Sequence, residues 1–157
     1  MANNVTFKVS FEQINKAAKE RLKEMFSRFQ DNDCNFGDMF VDGKEGSPTY
    51  EETNTRNWYN ENVGSKWCYF EEYDDDYLFG RSAWAPPSEG FHWLAEQLGE
   101  VDPELLMNVS FEDEMPNFVG WAVFEDLTGN RAVSIMRMEK LDPNTWMEIE
   151  ARRAKVA

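Results

Sequence analysis

Apolar and polar residues alternate at the start of the chain, with Val5, Phe7 and Val9 set against Thr6, Lys8 and Ser10. A period of two predicts a strand with one buried face. The period then lengthens. Ile14, Ala18, Leu22, Met25, Phe26 and Phe29 recur at helical spacing, with Lys16, Lys19, Lys23 and Arg28 on the other faces. This predicts an amphipathic helix of about 18 residues with a basic outside. Ser10, with Gln13 three positions on, has the form of a capping box that would open it.

Periodicity then lapses. Gly37, Gly43, Gly46, Pro48 and Gly64 lie among Asp, Asn, Ser and Thr, which predicts an irregular insert over about 30–62 with a short helix near 50–60. It has too few large apolar residues for a core of its own, and Met39–Phe40–Val41 and Trp58–Tyr59 are its expected anchors. The strand signal returns in Trp67–Tyr73 and Tyr77–Trp84, with Asp74, Asp75 and Asp76 as the hairpin turn. Pro86 and Pro87 end the second strand and lead into a helix. Its apolar face is Phe91, Leu94, Ala95 and Leu98, and Gly99 is its stop. Strands are predicted near Leu105–Phe111, Phe118–Glu125 and Arg131–Met138, with a turn over Asp126–Asn130. Asp142-Pro143-Asn144 breaks the chain before a short C-terminal helix, Thr145–Lys155, an addition spanning about 144–156.

The order β, α, insert, β, β, α, β, β, β, α contains no repeat. It predicts a single α+β domain over 1–157, with both main helices on one face of a mainly antiparallel sheet. A ferredoxin-like βαββαβ core fits this order. Ile14, Leu22, Phe26, Leu94 and Leu98 are expected to point into the sheet.

Composition narrows the class. The chain has 157 residues, of which 41% are hydrophobic and 15% aromatic, too apolar for a disordered chain. No apolar run reaches the ~18 residues a membrane span needs, and Met1–Ser10 lacks the basic and apolar regions of a secretory signal. A cytoplasmic protein is therefore expected. Cys34 and Cys68 form no CxxC pair, and His92 is the single histidine, so the expectation is two reduced thiols and no zinc site.

Charge changes the picture most. The formal net charge is -14. Residues 71–126 hold fifteen Asp and Glu against one base, Arg81, while the rest of the chain holds fifteen acids and fifteen bases. Acidity confined to one segment gives the field a direction. It opposes direct nucleic-acid binding and anionic membranes.

Candidate chemistry is sparse. Asp31–Asp42 resembles a calcium loop, but its sixth position is Phe36 and its twelfth is Asp42, where such a loop needs Gly and Glu. His92 has no nucleophile elbow to serve, so a structural role is expected. Gly64-Ser65-Lys66 lacks the remaining features of a phosphate loop, and there is no dinucleotide fingerprint. No catalytic residue, metal ligand or cofactor is assigned. Three acid clusters stand out: Glu71 with Glu72, Asp74 with Asp75 and Asp76, and Glu112 with Asp113 and Glu114. Each alone reads as a solvated turn or strand end. Together, in a segment with one base, they are the candidate partner-binding residues. Of the six Trp, one or two are expected as exposed interface anchors.

Specific residues also carry a family resemblance. Gly64-Ser65-Lys66-Trp67 opens an aromatic strand, Ala83-Trp84-Ala85-Pro86-Pro87 joins the next strand to a helix, and Phe118-Val119-Gly120-Trp121 lies on a later strand. This order resembles the YubB-type ferredoxin-like domains of plasmid and phage proteins, over most of residues 1–137. Cys68 departs from that family, which usually has Asp after Lys-Trp. The resemblance implies a ferredoxin-like fold and a mobile-element origin, and it implies no chemistry. The expected function is an acidic, phage- or plasmid-encoded binding protein. It would modulate a host nucleic-acid-handling protein with a basic surface by mimicking nucleic acid. A metal-dependent hydrolase using the clustered carboxylates and a self-associating structural protein remain alternatives, and the oligomeric state is open.

Overall fold

A computed structural model of the chain describes residues 3–115, 118–125 and 133–140. The expected turn at 126–130 and the C-terminal helix at 144–156 lie outside the described residues. Six strands form one antiparallel sheet: β1 (Asn4–Glu12), β2 (Cys68–Tyr73), β3 (Tyr77–Ala83), β4 (Leu106–Asp113), β5 (Phe118–Glu125) and β6 (Val133–Lys140). The helices are α1 (Lys16–Phe26), α2 (Tyr50–Thr53), α3 (Arg56–Asn62) and α4 (Ser88–Gly99), with a 3-10 turn at Phe36–Phe40. The spatial order is β2-β3-β1-β4-β5-β6, so β1 is a central strand. The architecture is α+β.

Alternation sets the two faces. On β1, Val5, Phe7 and Val9 are buried and pair with Ser82, Gly80 and Leu78 on β3 and with Asp113, Phe111 and Val109 on β4. The same face continues through Ala122 and Phe124 on β5 and through Cys68 and Phe70 on β2. Against it pack Ala18, Leu22 and Met25 of α1 and Phe91, Leu94 and Leu98 of α4, all in one hydrophobic cluster. Ile14 and Phe26 are partly buried against that cluster. Phe7 sits at its centre, edge-on to Phe70 at 5.9 Å and to Phe91 at 5.3 Å.

The start of α1 departs from the capping-box expectation. Ser10 is a β1 residue paired with both Tyr77 and Asn108, so its backbone belongs to the sheet. β3 pairs with β1 as far as Ser10 and β4 as far as Glu12, Gln13 turns the chain at φ 60°, and Asn15 becomes the cap. Its side chain accepts from Ala18 N at 2.8 Å, and its own N–H donates to Asp102 Oδ2 at 2.7 Å. The helix is 11 residues long, shorter than its apolar spacing suggested. Sheet pairing on both sides outweighed a local cap worth ~1 kcal/mol.

The insert is more firmly built than its composition suggested. Phe36 and Met39 enter the main core, and Phe40 stacks on Trp93 of α4 at 3.7 Å. Arg28 donates to Met39 O at 2.6 Å, and Tyr50 Oη donates to Arg28 O at 2.7 Å. Asn35 bridges to Tyr69, and Phe70 N–H donates to Cys34 O at 2.8 Å. The insert thus covers part of the exposed edge of β2, a common protection for an edge strand. Both cysteines are free thiols, and burial foremost pushes both above the ordinary thiol range. No described helix is long and apolar enough to cross a membrane.

Candidate interaction surface

The residues that alternate with the core occupy the opposite sheet face, away from the α1 and α4 side chains packed on the buried one. Thr6, Lys8 and Ser10 run down its middle, with Phe79 beside Lys8 on β3 and Ser110 beside it on β4. Further out, Trp121 of β5 pairs with Ser110 and is 40% exposed. An open depression of about 1160 Å3 lies on this face, with Thr6, Lys8, Ser10, Phe79 and Ser110 among its lining.

Three of the eight predicted acids line this depression: Glu72, Asp76 and Glu112. The strand register explains how residues so far apart in sequence meet. Asp76 is the last residue of the β2–β3 turn and receives Phe11 N–H at its carbonyl, 3.1 Å away, at one end of β1. Glu112 pairs with Thr6 towards the other end, and Glu72 pairs with Phe79 at the side. From Thr6 to Phe11 the strand rise amounts to ~17 Å. A bulge between Phe70 and Glu72 shifts the register. Bulges re-aim side chains in this way. It separates Glu72, at the depression, from Glu71, whose Oε1 lies 2.8 Å from Arg81 Nε. That ion pair is close but poorly aligned for a hydrogen bond.

The other acids divide by environment. Asp74 shapes the turn: its N–H donates to Tyr77 O at 2.9 Å, and its Oδ1 accepts from Asp75 N at 2.7 Å. Asp75 lies 3.6 Å from Lys23 Nζ on α1. Asp113 is 1% exposed, and its carboxylate accepts from Asn3 Nδ2 at 3.2 Å. It is part of the framework, and Glu112, at 9% exposure, is only slightly more open. Glu114 is exposed and accepts from Asn4 Nδ2 at 3.1 Å. The eight residues therefore do not form one patch. Glu71 and Glu72 lie at the side, on β2, the other six lie towards the two ends of β1, and the depression joins three of the eight.

Among the described residues, no group of three or more His, Cys, Asp or Glu is placed to hold a metal ion. The calcium-like segment does not converge either. Asp38 is buried and accepts from Gln30 N at 3.0 Å, while Asp42 accepts from Ser47 Oγ and from Lys44 N. His92 packs edge-on against Phe124 at 5.0 Å.

Sequence reasoning missed the turn at Trp84. It treated Trp84 as the end of a strand, yet Trp84 has φ 68° and a half-exposed ring. The two prolines that follow were the available signal that the chain turns there. No protein-family model matches the chain, and no curated protein or solved structure matches it either.

Proposed function

We propose that this chain is an acidic binding protein, encoded by a phage or plasmid. In this reading it modulates a host nucleic-acid-handling protein in the cytoplasm through the open face of its sheet. The observation that carries the reading is the meeting of Glu72, Asp76 and Glu112 around one depression, within the segment that holds the whole charge excess. Carboxylates spaced along a rigid sheet can stand in for phosphates, and complementary charge raises association rate and sets register. Lys8 stands among them, so three of the four charged residues in the lining are acids, set beside aromatic groups such as Phe11, Tyr77 and Phe79.

The strand order supports a finer fold assignment within the same reading. β1-α1-β2-β3-α4-β4, with β2-β3-β1-β4 as neighbours, reads as a ferredoxin-like core extended by β5 and β6 and interrupted by the insert. The mobile-element origin rests on the motif resemblance of Gly64–Trp67, Ala83–Pro87 and Phe118–Trp121 to YubB-type domains.

The test is capture of host proteins on the immobilised chain at low and high salt, followed by association rates for whatever is captured. The parent should capture a basic protein at 0.1 M salt and lose it near 1 M, where the Debye length falls to about 3 Å. Glu72→Gln with Asp76→Asn and Glu112→Gln should slow association about tenfold. Equal rates for the parent and this variant would defeat the proposal.

A further inference from the structure

Three non-glycine residues among those described have positive φ: Gln13, Asp31 and Trp84. Trp84 is the bulky one, and a bulky residue in that region is a genuine outlier. Its turn is held closed from both sides. Ala85 N–H donates to Ala83 O at 2.8 Å across it, and Trp84 N–H donates to Asn3 O at 2.8 Å. Ser82 Oγ, fully buried, donates to Ala85 O at 2.7 Å. The i to i+2 closure with positive φ marks a γ-turn of the rare, strained kind. The backbone thus accepts an unfavourable conformation to hold a ring that is 50% exposed. Strain kept at an exposed side chain is a reason to look for function there.

The surroundings indicate what the ring would meet. The Lys66 ammonium already lies 5.7 Å from its centroid, so the ring is placed to receive a cation. Asn3 and Asn4 connect the turn to the end of β4. Asn4 pairs with Ala83, and Glu114 N–H donates to Asn4 O at 2.9 Å. Glu114 therefore places an exposed carboxylate at the same end of the sheet, next to Met115, which is 56% exposed.

We propose that the Trp84 turn, with Glu114 and Met115, is an anchor site for an arginine-bearing segment of a basic protein partner. The guanidinium stacks on the Trp84 ring in place of Lys66, Glu114 meets its charge, and the Met115 thioether covers its stem. Arginine suits the site better than lysine because its planar head both stacks on aromatic faces and pairs with carboxylates. Exposed Trp is also among the residues most enriched at interface hot spots. The proposal rests on the reading that the partner is basic, and it adds where the partner is gripped and by which side chain.

The experiment titrates an oligo-arginine peptide into the full chain and its variants, reads affinity by calorimetry, and in the parent also follows the Trp84 indole resonance, assigned by its loss in Trp84→Gly. Glycine accepts positive φ, so this variant should melt within about 4 °C of the parent. A larger fall would mean that the ring is structural and would overturn the proposal. Trp84→Asn, another residue that tolerates this region, repeats the comparison. Expected results are binding weakened about tenfold by Trp84→Gly, weakened to a lesser degree by Glu114→Gln, and tightened by Lys66→Ala, which removes the competing cation. An oligo-lysine peptide of equal length that binds equally well would reduce the site to bulk charge and overturn the anchor. A single-stranded oligonucleotide that shifts Trp84 at lower concentration than the peptide would also overturn it. If Trp84→Gly binds like the parent while salt still releases the peptide, the anchor fails and the acidic-face reading stands. If the parent binds no peptide at low salt, both fail.

Discussion

Phe7 and Lys8 are neighbours on β1 with opposite surroundings. Phe7 is enclosed by Phe70, Phe91 and the backbone of β3, while Lys8 stands in water between Phe79 and Ser110. The contrast holds along the whole sheet. One face is closed by two helices and packed with aromatic edges. The other carries hydroxyls, ions and isolated apolar groups. An antiparallel sheet tolerates this asymmetry because only one face must be buried. The difference separates two demands on the chain. Stability is concentrated on the helix-covered face, so the open face can hold charge with little structural consequence.

The largest effect that could break this contrast is at its centre. Phe7→Ala should lower unfolding free energy by about 3–5 kcal/mol, since the cavity would lie among fully buried neighbours. Lys8→Ala, one residue on, should change it by less than about 0.5 kcal/mol. Denaturant midpoints measured side by side compare the two. Similar losses would mean that the open face is also a packing surface.

A second probe uses the space above β3. A Cβ on Gly80 would run into the Tyr69 carbonyl oxygen and approach Phe7 Cζ to 2.8 Å. Because a backbone atom cannot move aside cheaply, Gly80→Ala should cost about 1–3 kcal/mol or more. Near-parent stability would show that β2 can shift away from β3, and the closed face would then be looser than its ring contacts imply.

Much of this arrangement was legible in the sequence. Alternation over Val5–Val9 carried strand identity and facing, since period two leaves little choice once one face is apolar. The α4 face, Phe91, Leu94 and Leu98, followed from helical spacing and is fully buried. What stayed hidden depended on register. Nothing in the local sequence says that Glu112 pairs with Thr6 while Asp76 reaches Phe11, so three acid clusters read alike. Within a single cluster, pairing made Asp113 a framework carboxylate and left Glu114 exposed. The insert was hidden for a related reason. Its few apolar residues, Phe36 and Met39, are too sparse to show periodicity, yet they fill a core built by distant strands.

Asp38, within that insert, is a smaller test with a defined sign. Burial foremost raises its carboxyl above the ordinary range; the bond from Gln30 N opposes this, and the Asp33 charge adds to it. The folded state therefore holds this proton more tightly than the unfolded chain. Its contribution to stability is fully present below the unfolded value, near pH 4, and is lost as pH rises through the raised folded value. Asp38→Asn should flatten that part of the stability–pH profile, because a neutral amide carries no such linkage. An unchanged slope would assign the decline to the surface acids alone.

The smallest expected effect bears most directly on the open face. Glu72→Gln, Asp76→Asn and Glu112→Gln together remove three negative charges and keep side-chain shape. Thr6 Oγ1 lies 3.5 Å from Glu112 Oε1, at the limit of a hydrogen bond, and a glutamine carbonyl can accept it equally well. At the exposed Glu72 and Asp76 such substitutions usually change stability by less than about 0.5 kcal/mol each, and at Glu112, 9% exposed, the amide has to keep the contacts of the carboxylate for the same to hold. The sign should be stabilising at low salt, since the net charge of -14 repels itself and these groups contribute to it. Asp76 and Glu112 lie near opposite ends of β1, further apart than the Debye length of about 10 Å at 0.1 M salt. Their effects should therefore add, and the gain should vanish near 1 M salt. Unfolding curves of the triple variant at both salts decide the matter. A loss above about 1 kcal/mol at either salt would make these carboxylates supports of the sheet, and the open face would no longer be free to serve a partner.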